Sequence, residues 1–441
     1  METLLQQLTR GNALFLIIIL GIGGSFHTGY HITELSSPSP YIQRFINSSW
    51  YNRYEEPPPP QTITMIWSLI VSMYAVGGLF GTMSVTFVSG MLGRKKAMIC
   101  NSSIAIVAAG IMMTSKYARS YEMIIVARIL YGYTAGLGSS THLMYLGEIS
   151  PRKFRGIVTL TSVTFGSLGK LSGQFFGLSE ILGREELWNI VLCVPAFFSV
   201  VQVIVLPFLP EAPRYLFIEK GDDMACKKAL QSLWGQGDYK EEMDEMLAEQ
   251  LAIEAAPPKS PLQLLRDRSV RWQLMSMSII YCCNQLSGMS AISIFSFDIF
   301  LKAGIPGDKI RYVTLGLGVS EIITSISCVS NSLSFTAGGA TATLNSELFI
   351  QSSRLASFVL MGIQRWLMFA IMGLVFPFLI TALNSYCFVL FACMCLLGFL
   401  FTFFILPETK GKTLLEISEE FKALTVCGKS SLEKKNIQTK L

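Results

Sequence analysis

The most constraining feature of this chain is the recurrence of apolar segments of about 20 residues, each long enough to cross a roughly 30 Å hydrocarbon core as a helix. Six stand in the first half, near Asn12–Ile32, Thr62–Val88, Ala97–Ser115, Glu122–Leu146, Val158–Leu178 and Trp188–Leu209. A charged stretch from Pro210 to Arg271 follows, then Trp272–Leu301, Tyr312–Val329, a mixed polar and apolar stretch Ser330–Phe349, and finally Ala356–Ile380 and Tyr386–Leu406. Hydrophobic residues make up 51% of the 441 residues and charged residues 15%, well below the quarter of charged residues in a soluble domain. The bilayer must be the solvent for much of the chain. The first apolar segment is followed by neither an A-x-A cleavage pattern nor a soluble stretch, so it reads as a span and not as a signal peptide. The expected fold class is an all-α polytopic membrane protein.

Charge sets the orientation. Arg94-Lys95-Lys96, Arg152-Lys153-Arg155, the central stretch, Arg354 and Lys410/Lys412 form the basic clusters. By the positive-inside bias all of these are expected to be cytoplasmic, with both termini inside. The net charge of +5 is modest and its basic residues gather at span ends, a sign of topology and not of nucleic-acid binding. The segment between the first two spans is the longest external piece. It holds Asn47-Ser48-Ser49, an N-x-S sequon expected to accept N-glycosylation. The central stretch shows Glu/Lys-rich helical patterning over Tyr239–Glu254 and a Pro257-Pro258 break, and reads as a solvated loop. None of the ten cysteines forms a C-x-x-C ligand array; Cys282-Cys283 and Cys393/Cys395 read as small core residues. No G-x-x-x-x-G-K-[ST], no H-E-x-x-H and no paired carboxylates in a plausible pocket occur, so no enzyme activity, cofactor or metal is expected.

Five motifs fall in order along the chain: Gly93-Arg94-Lys95; Tyr145-Leu-Gly-Glu148-Ile-Ser-Pro151 with Arg155-Gly156; Pro210-Glu211-Ala-Pro-Arg214; Gln285-Leu-Ser-Gly288; and Pro407-Glu408-Thr-Lys-Gly411. Together they resemble the sugar porter signatures of the major facilitator superfamily, and within it the class II facilitative hexose carriers, which handle fructose, glucose or urate. The resemblance implies a major facilitator fold. Residues 1–209 would form a six-helix N-bundle, 210–271 a cytoplasmic central segment, 272–406 a shortened C-bundle and 407–441 a cytoplasmic tail. It also implies uniport of a hexose at the plasma membrane by alternating access around a midplane site.

The resemblance assigns Arg94, Arg128, Glu148, Arg155, Glu211, Arg214, Glu347, Arg354 and Glu408 to a cytoplasmic latch, charges at span ends that pair between helices while their stems lie in apolar surroundings. It places Gln174, Asn284, Gln285, Ser290 and Trp366 at the sugar site, where amide groups offer donors and an acceptor to a polyhydroxyl ligand. Packing between helices is an equal role for Ser287 and Ser290, and for Trp366 stacking on a sugar and packing are both open. Ala342 falls where class II members carry a small residue. Ser290 replaces the family's asparagine, His27 its glutamine, and His31 stands where uniporters have asparagine and proton-coupled relatives aspartate.

His27 and His31 are one helical turn apart and share a face. Two readings are open: they line the cavity and confer pH sensitivity near neutrality, or they make ordinary neutral hydrogen bonds. Lys170 lies four residues before Gln174, and Arg365 adjoins Trp366. If these cations reach the cavity, an anion such as urate is favoured; if Lys170 pairs with Glu321, it is not.

The pattern breaks after Val329. The family's cytoplasmic E-R-x-G-R-R loop, its ninth span and the start of its tenth are absent, and Ser330–Phe349 begins with what resembles the second half of span ten. Arg354 must end on the side where that stretch starts, so a re-entrant or interfacial segment is expected, leaving ten full spans. A second function class is a non-transporting, truncated product that is retained, degraded or acts by pairing with other carriers. The tail ends Gln438-Thr-Lys-Leu441, which reads as a disordered segment or, as a loose match, as a carboxylate ligand of a PDZ-type groove.

Overall fold

The computed structural model describes residues 11–150, 155–255, 260–267, 270–331, 348–349, 351–383 and 386–405. The described residues form seventeen α-helices. Span one is two helices, α1 (Ala13–Gly23) and α2 (Ser25–Thr33), broken at Gly24, whose φ of −110° and ψ of −98° leave the helical region. Then come α3 (Ser39–Tyr54), α4 (Pro60–Leu92), α5 (Arg94–Ser115), α6 (Tyr121–Ile149), α7 (Arg155–Phe176), and the pair α8 (Trp188–Val191) and α9 (Val194–Val205). The central segment forms α10 (Asp223–Trp234), α11 (Lys240–Ala255) and α12 (Pro261–Arg266). The second half contains α13 (Arg271–Leu286), α14 (Met289–Lys302), α15 (Gly307–Asn331), α16 (Gln351–Leu383) and α17 (Tyr386–Ile405).

These helices reproduce the expected spans to within a few residues at most boundaries, because apolar length and backbone self-satisfaction leave a helix as the available answer. Among the described residues, five stretches are long and apolar enough to cross a membrane: Ala13–Thr33, Gln61–Leu92, Arg94–Ser115, Trp188–Phe208 and Ala356–Leu383. Of the remaining long helices, α6, α7 and α13 carry polar residues such as Arg128, Gln174 and Gln285 into the interior of the bundle.

In the first half α4 packs along α6, α2 along α7, and α5 along α6 and α9. Small residues permit the closest of these approaches: a Cβ on Gly132 of α6 would lie 1.8 Å from the Tyr74 carbonyl oxygen of α4. The two halves meet along two seams, α4 with α16 and α7 with α15. One core cluster crosses the first seam, joining Tyr74 and Tyr131 to Phe295, Trp366, Phe369 and Phe376.

Two features were not legible in advance. The piece after span one folds as α3, with Ile42 and Ile46 buried beneath it; Arg53 pairs with Glu122 at 2.5 Å and Phe45 packs on Trp188 at 5.4 Å. The central segment is also more than a solvated loop. Cys226, Leu230 and Met246 pack on Phe217, and Leu233 joins the N-bundle cluster of Tyr145, Leu146 and Ile149. Two of its helices begin on their own caps: Asp222 accepts from the Ala225 amide, and Ser260 with Gln263 forms a capping box.

Candidate functional site

Span seven is broken where the residues expected at the sugar site sit. α13 ends at Leu286, Gly288 takes a left-handed φ of 84°, and α14 starts at Met289. A Cβ at Gly288 would lie 2.4 Å from the Phe391 ring, so this turn needs glycine for both conformation and space. The break places Gln285 in a buried position where its side-chain oxygen accepts from Ser290 Oγ at 3.4 Å. Asn284 is half-buried beside it, and its carbonyl accepts from Ser287 Oγ at 2.6 Å.

Gln174 of α7 lies in the second seam. Its side-chain oxygen occupies the space left by Gly318 of α15, where a Cβ would be 2.1 Å away, and it has no hydrogen-bond partner among the described residues. One turn along, Lys170 pairs with Glu321 of α15. Farther along the same antiparallel seam, Tyr312 donates to Glu180 at 3.0 Å. Two buried amides on opposite halves, one with a spare acceptor, are suited to a neutral hydroxylated ligand. Lys170 is a neutralised cation.

Trp366 belongs to the other seam. It is 4% exposed and lies over Gly78, with Tyr74 at 5.6 Å and Phe369 at 6.1 Å, both edge-on. The packing reading is the one the geometry supports. Arg365 folds back over the Trp366 ring at 5.3 Å.

The histidines share a face as expected, with rings 6.0 Å apart, but that face is turned into the N-bundle. His27 Nε2 meets Ser199 Oγ at 3.4 Å, and His31, fully buried, meets Glu34 at 2.9 Å and stacks on Tyr131 at 4.2 Å. They make interior contacts instead of lining an open cavity.

Arg128 requires a correction. It is not at the same end as the latch residue Glu148: the two lie on α6 twenty positions apart, about 30 Å along a helix. Arg128 donates to Glu34 at 2.8 Å and to the His31 carbonyl at 3.2 Å, over the Tyr74 ring at 4.4 Å. Glu34 was missed by sequence reasoning, though it is an acidic residue one turn past His31 at the end of an apolar span.

Around the central segment lie four of the residues expected in a latch, Arg94, Glu148, Glu211 and Arg214. Arg94 bonds Glu148 at 2.9 Å and Glu219 at 2.7 Å and covers Tyr215. Glu211 accepts from the Lys95 amide at 2.9 Å, and Arg214 pairs with Glu245 at 3.1 Å and with Glu249. Among the described residues these bonds tie the N-bundle to the central helices. At the opposite end the contacts run between the halves: Arg311 donates to Ser37 at 2.9 Å and to Tyr41 at 3.0 Å, and Ser36 meets Ser296 at 2.5 Å. Asn47 is exposed on α3. The side chains of Arg155 and Arg354, and all of Glu347, Glu408, Ala342, the 332–347 stretch and the tail to Leu441, lie outside the described residues.

The profile of the family described as "Sugar (and other) transporter" matches residues 16–331 and 322–421. The chain is similar to facilitated glucose transporter member 9 of Mus musculus, 37% identical over 92% of this chain and 84% of that protein. It is similar to member 5 of Ovis aries, 37% identical over 92% and 91%, and to member 11 of Homo sapiens, 35% identical over 95% of each. Among solved structures, a major facilitator superfamily proton:xylose symporter bound to 6-bromo-6-deoxy-D-glucose matches with a TM-score of 0.74 at 16% identity, covering 94% of this chain and 99% of that one. That likeness shows the major facilitator fold. With helices, seams and fold in agreement with the family profile, the chain is a non-enzymatic, multi-pass membrane protein that belongs to the sugar transporter family.

Proposed function

We propose that this protein carries a hexose, fructose or glucose, down its gradient by uniport, with the two halves rocking about the α4–α16 and α7–α15 seams. The observation that carries this reading is the placement of two buried amides, Gln174 and Gln285, on opposite halves. Among the described residues Gln174 keeps an acceptor free at the seam. A neutral sugar is favoured over an anion because Lys170 is committed to Glu321. The side with Arg94 and the central helices is the cytoplasmic one in this reading, and α3 with Asn47 is external, at the plasma membrane. The hydrogen bonds of Arg311 to Ser37 and Tyr41 then close the external side.

A second reading is favoured by one observation. The family profile matches in two pieces that meet at residues 322–331, beside the point where the cytoplasmic loop and span nine of the family are absent from the sequence. A C-bundle interrupted there would fail to transport. The test is to express the chain, establish surface exposure by impermeant labelling, and measure initial uptake of labelled fructose, glucose and urate against Gln285→Ala. Saturable uptake lost in the variant supports the carrier; surface protein that moves none of them supports the non-transporting reading.

A further inference from the structure

Between α13 and α17 the structure holds an apolar groove of about 620 Å³. Its walls are Met275, Ile279 and Cys282 from α13 and Leu397, Leu400 and Phe404 from α17. At its deep end the helices close on each other, a Cβ on Gly398 lying 2.8 Å from Cys283 Cβ. From there to Met275 is eight residues, about 12 Å of helix. One further turn reaches Arg271, for a total depth of about 18 Å, close to one leaflet of a roughly 30 Å hydrocarbon core plus its boundary.

The mouth is chemically different from the walls. Arg271, Met275, Ser278, Ile279 and Cys282 follow the i, i+4, i+7, i+8, i+11 spacing that puts them on one face of α13, so Arg271 stands directly above the groove. Arg271 is exposed and has no ion-pair partner among the described residues, and the same holds for Arg266 at the end of α12. Leu262 and Leu265 of α12 are 60% and 58% exposed while Leu264 is buried, the signature of a short helix that lies in the membrane boundary. Arg271 on the groove face, with Arg266 five residues before it and neither ion-paired among the described residues, complements a negatively charged headgroup with an acyl chain beneath it.

We propose that the α13–α17 groove binds one anionic phospholipid of the cytoplasmic leaflet, its acyl chain against Met275, Ile279, Leu397 and Phe404 and its phosphate at Arg271 and Arg266. The leaflet follows from the orientation adopted above; the site itself does not depend on transport. Bound there, the lipid braces α13, the helix that carries Gln285, against α17.

The test uses the full chain reconstituted in phosphatidylcholine nanodiscs with a minority of phosphatidylserine, followed by native mass spectrometry of the retained lipid. One retained phosphatidylserine is expected, preferred over phosphatidylcholine by roughly thirtyfold for two arginines at the boundary. Combined Arg266→Gln and Arg271→Gln substitution returns the retained lipid to its share of the bilayer, whereas Arg271→Lys keeps the preference. Ser278→Phe, which fills the groove, removes retention while both arginines remain. A preference that survives both the glutamine pair and Ser278→Phe, or its absence in the unmodified chain, overturns the proposal. Neither uptake nor orientation enters this measurement, so a failed carrier reading leaves the result intact, and the reverse.

Discussion

Neutralising Glu34 should be among the most damaging single changes in the N-bundle. The Glu34 and Arg128 side chains are 0% and 2% exposed and stand 2.8 Å apart. At an effective dielectric of about 20, unit charges at such a separation attract by about 6 kcal/mol, and removing one partner of a buried pair costs about 3–5 kcal/mol because the other charge is stranded. Glu34→Gln leaves the Arg128 guanidinium with neutral acceptors only, the new amide oxygen and the carbonyls of His31 and Ile70. At about 2 °C per kcal/mol for a chain this large, the detergent-solubilised variant should melt about 6–10 °C lower by scanning fluorimetry. Arg128→Met should do comparable damage by stranding the carboxylate. The decisive measurement is the double variant Glu34→Gln/Arg128→Met, which strands neither charge and should melt well above the sum of the two losses. Additive losses, or single losses below about 2 °C, would refute the claim that this pair acts as a unit.

Other expectations follow from the same geometry. Gly132→Ala drives a methyl group into the Tyr74 carbonyl and should lower the yield of monodisperse protein, as an overpacked contact costs about 1–3 kcal/mol or more. Lys170→Met strands Glu321; uptake of a neutral hexose should fall, and any gain of anion transport specific to the lysine is excluded if the pairing is right. Arg311→Ala removes the hydrogen bonds to Ser37 and Tyr41 and should increase labelling of an engineered cysteine at Ser290 by an impermeant thiol reagent; unchanged labelling counts against an external clasp. In the central helices, burial pushes the Cys226 thiol up to about 11. Its neutral form stabilises fully below its ordinary value near 9 and loses that contribution as pH rises toward 11. Maleimide labelling of Cys226 should therefore stay slow at neutral pH and rise across that window, and Cys226→Ala should abolish the rise.

The contrast between Arg128 and Arg94 shows how far a sequence reaches. Both were assigned to one latch, but only Arg94 is found there, bonded to Glu148 and Glu219. The position of Arg128 along α6 was computable from a rise of about 1.5 Å per residue. Its partner was not, because Glu34 is 94 residues away and nothing in either helix's periodicity names the other. Gln285 is placed at the sugar site by the resemblance carried in Gln285-Leu-Ser-Gly288, whereas the break at the left-handed Gly288 that follows it is a finding of the fold.

By itself the sequence determined the spans, their order and the family, because a run of about 20 apolar residues in lipid leaves the backbone no alternative to a helix and the short motifs lie at helix ends where local chemistry dominates. Tertiary structure alone decided which polar residues face one another. It set Lys170 against Glu321, turned His27 and His31 inward and laid Trp366 over Gly78. The face that a helix presents to a neighbour depends on its crossing angle and on the small residues that let the backbones approach, and these are properties of the pair of helices and not of either segment.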